Sequence, residues 1–288
     1  MSRFFCDTNS ELWYTRADEL GLDVIAMPYT LDGEEYFYDL GRNTNFKEFF
    51  ARLRAGADAK TQALNMQNYI DYFEPILAGG EDIVYVHFSR NMSGTFVQMD
   101  NAIAFLKEKY PDRKISTVDT GMISIGEALI VYEAAKLWKN GASDEEIVKF
   151  VEENRQNYAL YFTVKDLQQL KRGGRLSATA FVAGTILNIK PILRVDESGA
   201  LGKCATVRGY KSAIKTIVGK IKEIGDDVKK HPIVIAHADA EDVAEEIHQI
   251  IKTQFGEDVE VWIQPVGPVI GSHSGGGAVG VAFHSKSR

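Results

Sequence analysis

The chain reads as an α/β protein in two parts, a Rossmann-like N-terminal domain with a parallel sheet over residues 1–157 and a C-terminal domain with a mixed sheet over 158–288. Three observations carry this reading. Short β-rich runs alternate with amphipathic stretches through the first half, which argues βαβ units. From "YALYFTV" onward the texture changes, and "KPILRVDESGALGKCATV" reads as two strands joined at Ser198-Gly199, a pattern that favours antiparallel pairing. The length, 288 residues at 45% apolar and 25% charged, exceeds what one core typically supports.

In order, "RFFC", "DVIAMPY", "DIVYVHF" and "KISTVD" are the expected strands of the first part. Between them, "NFKEFFARLRAG", "QNYIDYFEPILAGG" and "GTFVQMDNAIAFLKEKYP" space their apolar residues by three and four, and each stops at Gly or Pro, as helices do. "SDEEIVKFVEENRQ" opens with Ser143 and has Glu146 three residues on, a capping-box signature. The second part closes with "HPIVIAH", the acidic helix "AEDVAEEIHQIIKTQF", "VEVWIQPV" and "AVGVAFH". No fixed-period repeat or low-complexity tract occurs, so any junction between the parts is compact.

Forty acidic against 33 basic residues give a net charge of −7, which disfavours nucleic acid and anionic membrane surfaces as partners. Cys6 and Cys204 lie far apart, without the spacing of a disulfide framework or a zinc site, which fits a reducing cytoplasm. Every apolar run is broken by charge before it could span a bilayer, so no stable membrane insertion is expected. His237 and Asp239 lack a nearby third ligand, and Asp239 suits a cap for the following helix instead; no metal is expected.

Ligands of open α/β sheets bind beyond the carboxyl ends of strands. "YVHFSRNMSGTF" has that layout, and Ser93 with the Gly94 and Thr95 amides would form an anion cradle or simply cap a helix starting near Gly94. A nucleophile is disfavoured because the elbow motif G-x-S-x-G is absent around Ser93. "CDTNS" and "TVDTGMIS" repeat the chemistry, offering Asp7, Thr8, Ser10, Asp119, Thr120 and Ser124 either as a hydroxyl cluster or as ordinary caps. Arg175, past the glycines of "LKRGGRLS", and Arg208 in "TVRGYKS" are the cations best placed for a carboxylate or phosphate. "GPVIGSHSGGGAVG" lacks the following βαβ unit that a dinucleotide fingerprint requires. It reads instead as a glycine-rich loop presenting His273, which would donate to a carboxylate, donate to a phosphoryl group when protonated, or be satisfied by backbone.

The ordered set "CDTNSEL", "KTQALN", "SRNMSGTF", "TVDTGMISIG", "KDLQQLKRGGRLS", "ILNIKPIL", "VRGYKSA" and "GPVIGSHSGGGAVGV" resembles the DegV family along essentially the whole chain. Members of that family are bacterial fatty-acid-binding proteins that serve a separate fatty acid kinase. The resemblance implies an acyl chain buried between and within two α/β domains, with headgroup loops in the first and basic and histidine loops in the second. It implies that hydroxyls matching Thr61 and Ser93 hold the carboxylate, with the Gly94 amide near and His273 completing the set. Arg175 and Arg208, together with that histidine, would face the phosphate or the kinase. It further implies a cytoplasmic carrier with no catalytic residue and no cofactor beyond its fatty acid, passing acyl-phosphate to an acyltransferase for phospholipid synthesis. The alternative is a small-molecule hydrolase or phosphotransfer enzyme using Ser93 and His273. Two segments depart from the family pattern: Thr61-Gln62-Ala63-Leu64-Asn65 replaces Thr-Ser-x-Pro-Ser, and Cys6-Asp7-Thr8 replaces Thr-Asp-Ser. "ATAFVAGTILNIKPIL", residues 178–193, is a plausible cavity wall or ordinary core.

Overall fold

The computed structural model describes residues 2–165, 167–176 and 188–288. Most of the expected cavity wall, residues 178–187, lies outside the described residues.

The N-terminal sheet contains β1 (Arg3–Asp7), β2 (Asp23–Ile25), β6 (Ile83–His87) and β7 (Ile115–Asp119), in the order β2-β1-β6-β7 and parallel throughout. All five residues of β6 are buried, as a central strand covered on both faces requires. "DVIAMPY" is not one strand. It divides into β2 and β3 (Pro28–Leu31), because the two amides between them leave the ladder for side chains. Ala26 N donates to the Tyr72 hydroxyl at 3.0 Å and Met27 N to Thr8 Oγ1 at 2.9 Å. Freed from the first sheet, β3 pairs antiparallel with β4 (Glu34–Phe37) and β5 (Ala59–Thr61) in a small separate sheet. Thr61 therefore sits at a strand end, fixed opposite Tyr29.

The helices of this half are α1 (Tyr14–Leu20), α2 (Phe46–Arg54), α3 (Met66–Ala78), α4 (Thr95–Lys109), α5 (Ser124–Lys139) and α6 (Asp144–Asn154). The Ser143/Glu146 capping box at the head of α6 is present in both directions. Asn65, at one of the family departures, forms a second such box with Asn68 and starts α3, while Leu64 before it is buried.

Strand membership changes at Tyr158. The six-stranded mixed sheet runs β10-β9-β8-β13-β11-β12, built from β8 (Tyr158–Thr163), β9 (Ile189–Val195), β10 (Leu201–Arg208), β11 (Ile233–His237), β12 (Val261–Pro265) and β13 (Val279–His284). Only β11 and β12 are parallel; β9 and β10 form the expected antiparallel pair. Its helices are α7 (Gln168–Arg172), α8 (Tyr210–Ile224), α9 (Glu241–Phe255) and α10 (Pro268–Ser274). The expected Asp239 cap of α9 does not form: that carboxylate pairs with Arg54, and the Ala240 amide donates to His237 Nδ1 at 3.4 Å.

Helix α5 joins the halves. Its first two turns, Ser124–Val131, are wholly buried, as are Ala134 and Ala135, because it packs on β1 and β6 and on β8, β11 and β13. One apolar core consequently runs from Phe4 to Ala282 across both sheets. Among the described residues, no helix is long and apolar enough to cross a membrane.

Candidate functional site

Parallel pairing sends the chain out of β1, β6 and β7 at one edge, so residues 8–12, 88–94 and 120–124 form neighbouring loops. Most of the polar groups there hold backbone. Thr8 accepts from Met27 N, Ser10 donates to Asp7 O at 2.7 Å, and Thr120 donates to His87 O at 2.9 Å. Of the two readings open for these three, they follow the second and cap or brace turns. Asp7 accepts from Asn9 N and from the Tyr85 hydroxyl, each at 2.9 Å.

A cavity of about 190 Å³ opens between these loops and the C-terminal sheet. Its walls are mostly apolar and include Met27, Phe88, Ile125, Leu160, Phe162 and Val269, with Thr61, Ser93, Gly94, Arg175 and His273 also on the lining. These last five come from distant parts of the chain and connect through short steps. Thr61 Oγ1 and His273 Nε2 lie 2.9 Å apart. The His273 ring rests against Gly173, so closely that a Cβ there would come within 2.0 Å of Nδ1. Arg175 donates from Nη1 to Gly173 O at 2.6 Å and from Nε to Met92 O at 3.0 Å, one residue before Ser93. These groups form one connected polar patch on a mostly apolar lining.

His273 is not on a loop. Helix α10 carries it in its last turn, started by Pro268 at the first helical position and ended by Gly275 at φ 72°. Proline suits the start because its missing N–H is one that a helix leaves unpaired anyway. Burial, reinforced by the Arg175 charge, lowers the His273 pKa to about 4, so the ring is neutral near pH 7. Of the roles open to His273, this disfavours donation by a protonated imidazole. Among the described residues its bond is to Thr61 and it makes none to Ser93, so the pair that a serine hydrolase needs is not formed.

Ser93 is extended, at φ −155° and ψ 142°, and its hydroxyl accepts from Thr95 N at 3.2 Å. Helix α4 begins one residue later than expected, with Gly94 as its N-cap and no side-chain cap on that residue. Gly94 is exposed and has open space where a Cβ would stand. The arrangement places a hydroxyl and the positive end of a 15-residue helix dipole on the cavity lining, which favours an anion there. Arg175 itself is half-buried, and burial lowers its pKa from the usual guanidinium value without removing its charge. Arg208 is set apart: it ends β10, is exposed, and is not among the residues lining the cavity.

Sequence reasoning missed two features of the site. Glu11 and Ser124 both adopt left-handed backbone, φ 53° and 56°, and their side chains hydrogen-bond to each other. Glu11 Oε1 also accepts from Gly267 N at 2.6 Å, tying the first loop to the start of α10. Such strained conformations cluster at functional sites, but nothing in the local sequence marks them. The second is a clasp over the Ser93 loop, where Ser89 Oγ donates to Gly199 O at 2.8 Å and Asn91 Nδ2 to Ser198 O at 2.5 Å.

Comparison with known proteins agrees with this architecture. A family model described as "Uncharacterised protein, DegV family" matches residues 4–286. A DegV domain-containing protein of Clostridium perfringens is 34% identical over 97% of this chain and 96% of its own length. A DegV family protein from Thermus thermophilus, reported for its fatty acid binding, is 26% identical, with a TM-score of 0.84 over 98% of this chain and 99% of that one. DegV of Bacillus subtilis, described as a fatty acid binding protein, gives the same identity of 26% and TM-score of 0.84 over 99% of each chain.

Proposed function

The chain belongs to the DegV family, and from that premise we propose that it is a carrier that buries one long-chain fatty acid in the cavity between its sheets. The observation that carries the reading is the connected patch of Thr61, His273, Arg175 and Ser93 on a mostly apolar wall. An acyl chain supplies the affinity. At ~0.8 kcal/mol per buried methylene, about fifteen methylenes contribute on the order of 12 kcal/mol before the costs of binding.

The headgroup contacts then need only position the carboxylate. The Thr61 and Ser93 hydroxyls and the Gly94 amide are neutral donors, and neutral His273, by donating from Nε2 to Thr61 Oγ1, leaves the Thr61 hydroxyl proton for the carboxylate. Neutral donors hold an anion without deep stabilisation, so the carboxylate remains a competent attacker on a phosphoryl donor. In this proposal a separate fatty acid kinase supplies that donor, and the bound acyl-phosphate passes to an acyltransferase for phospholipid synthesis in the cytoplasm. Arg208, exposed and away from the cavity, suits the kinase contact, whereas Arg175 suits the added phosphate. No residue of this chain need act as a catalyst.

The test is solvent extraction of the purified protein followed by mass spectrometry, then incubation with a fatty acid kinase and ATP. A stoichiometric long-chain fatty acid that becomes phosphorylated supports the carrier. Lipid-free protein that hydrolyses acyl esters would overturn it.

A further inference from the structure

A cavity for a plain hydrocarbon chain should meet that chain with carbon. Among the described residues, two buried polar side chains on this lining instead leave an oxygen unpaired. Asn9 is 4% exposed and its Oδ1 accepts no hydrogen bond among the described residues; Ser274 is 8% exposed and its Oγ is likewise unpartnered. Ser124, another buried hydroxyl on the lining, is already engaged by Glu11. Because the Asn9 amide donates to Asp7 Oδ1 at 2.9 Å, the backbone that carries the carboxamide is held in place. Packing hydrocarbon against an unpaired buried carboxamide is unfavourable, so a ligand that pairs with it is favoured.

Position narrows the chemistry. Strands β1 and β6 are adjacent and parallel, so the loop with Asn9 and the loop with Ser93 leave the same edge side by side. Asp7 ties the two loops together, accepting from Asn9 N and, at 3.5 Å, from Phe88 N, so a group that reaches Asn9 from a carboxylate held at Ser93 lies towards the carboxyl end of the chain. We propose that the cavity selects a fatty acid bearing a hydroxyl within the first few carbons of its carboxylate, with Asn9 as the residue that recognises it. A hydroxyl both donates and accepts, so it pairs with either end of the carboxamide. This rests on the fatty-acid reading of the same cavity.

The experiment is competition between 3-hydroxyhexadecanoic acid and hexadecanoic acid for the full-length protein, each displacing a fluorescent fatty acid. The hydroxy acid is expected to bind about 10-fold more tightly, and Asn9→Leu to bring the two acids level while hexadecanoic acid still binds. Asn9→Ala carries the same expectation should the larger side chain prevent folding. Equal affinities in the unaltered protein, or a preference that survives both substitutions, overturns the proposal while leaving the carrier reading intact. Binding of neither acid brings down the carrier reading, and this inference with it.

Discussion

Thr61 Oγ1 and His273 Nε2 meet at 2.9 Å although 212 residues separate them in the chain. The contact joins the small antiparallel sheet to helix α10, and Gly173 sets the histidine ring from its other side. Neither residue could be moved without the other losing its partner.

Gly173→Ala tests that dependence. Gly173 has an ordinary right-handed backbone, φ −74° and ψ −4°, so alanine is conformationally acceptable there. Its Cβ, however, would fall 2.0 Å from His273 Nδ1 and 2.7 Å from Cε1, and the ring must shift. The expected result is folded protein, destabilised by about 1–3 kcal/mol, whose fatty-acid affinity drops roughly tenfold. Unchanged affinity in a fluorescence displacement assay would show that the ring position does not matter to the headgroup.

The two arginines should separate in one experiment. Arg175 lines the cavity and ties Gly173 O to Met92 O, so Arg175→Ala is expected to weaken lipid retention as well as phosphorylation. Arg208→Ala is expected to leave retention unchanged and to slow only the kinase-dependent step. Ser93→Ala, which removes a hydrogen bond to a charged group, should cost about 1.5–3 kcal/mol of binding, roughly 10- to 100-fold. Isothermal titration with the fatty acid, followed by a kinase assay, resolves all three, and equal loss of retention in both arginine variants would refute the separation.

Local chemistry made much of this fold readable. The Ser143/Glu146 box and the alternation of strand and helix depend on neighbours a few residues apart, and the structure follows them. The division of "DVIAMPY" was hidden because Met27 N bonds a hydroxyl 19 residues away, a tertiary contact that overrides a strand-like run. Helix α10 was obscured by the glycines after it, which resemble a loop although Gly275 only terminates the helix. Within the site, residue types were readable but partnerships were not. Thr61 with His273, Arg175 with Met92 O, and Glu11 with Ser124 are all contacts between distant segments.

His273 should give the protein a measurable pH signature. Burial holds its folded pKa at about 4, below the ordinary 6.5, so between those values the unfolded chain binds the extra proton. Its contribution to stability is therefore complete above about pH 6.5 and is lost as pH falls towards 4. Replacing it by His273→Asn should remove a dependence of roughly 1.4 kcal/mol per pH unit in that window. Urea unfolding of both proteins across the window checks this, and parallel stability curves would contradict a buried neutral imidazole.

Glu11 should act with the opposite sign. Burial raises its pKa from 4.5 to about 7, against the lowering effect of its bonds from Ser124 and Gly267. Between those values the folded state holds a proton that the unfolded chain has released, so stability declines as pH rises from 4.5 towards 7. Glutamine preserves the shape, can still accept from Gly267 N through its carbonyl oxygen, and cannot ionise. Glu11→Gln is thus expected to be flatter than the unaltered protein by roughly 1.4 kcal/mol per pH unit in this window, and relatively more stable at pH 8 than at pH 5. The two substitutions bend the pH profile in opposite directions, which distinguishes each from a general loss of packing. A Glu11→Gln protein with a constant stability deficit at every pH would mean that Glu11 is already ionised in the folded state.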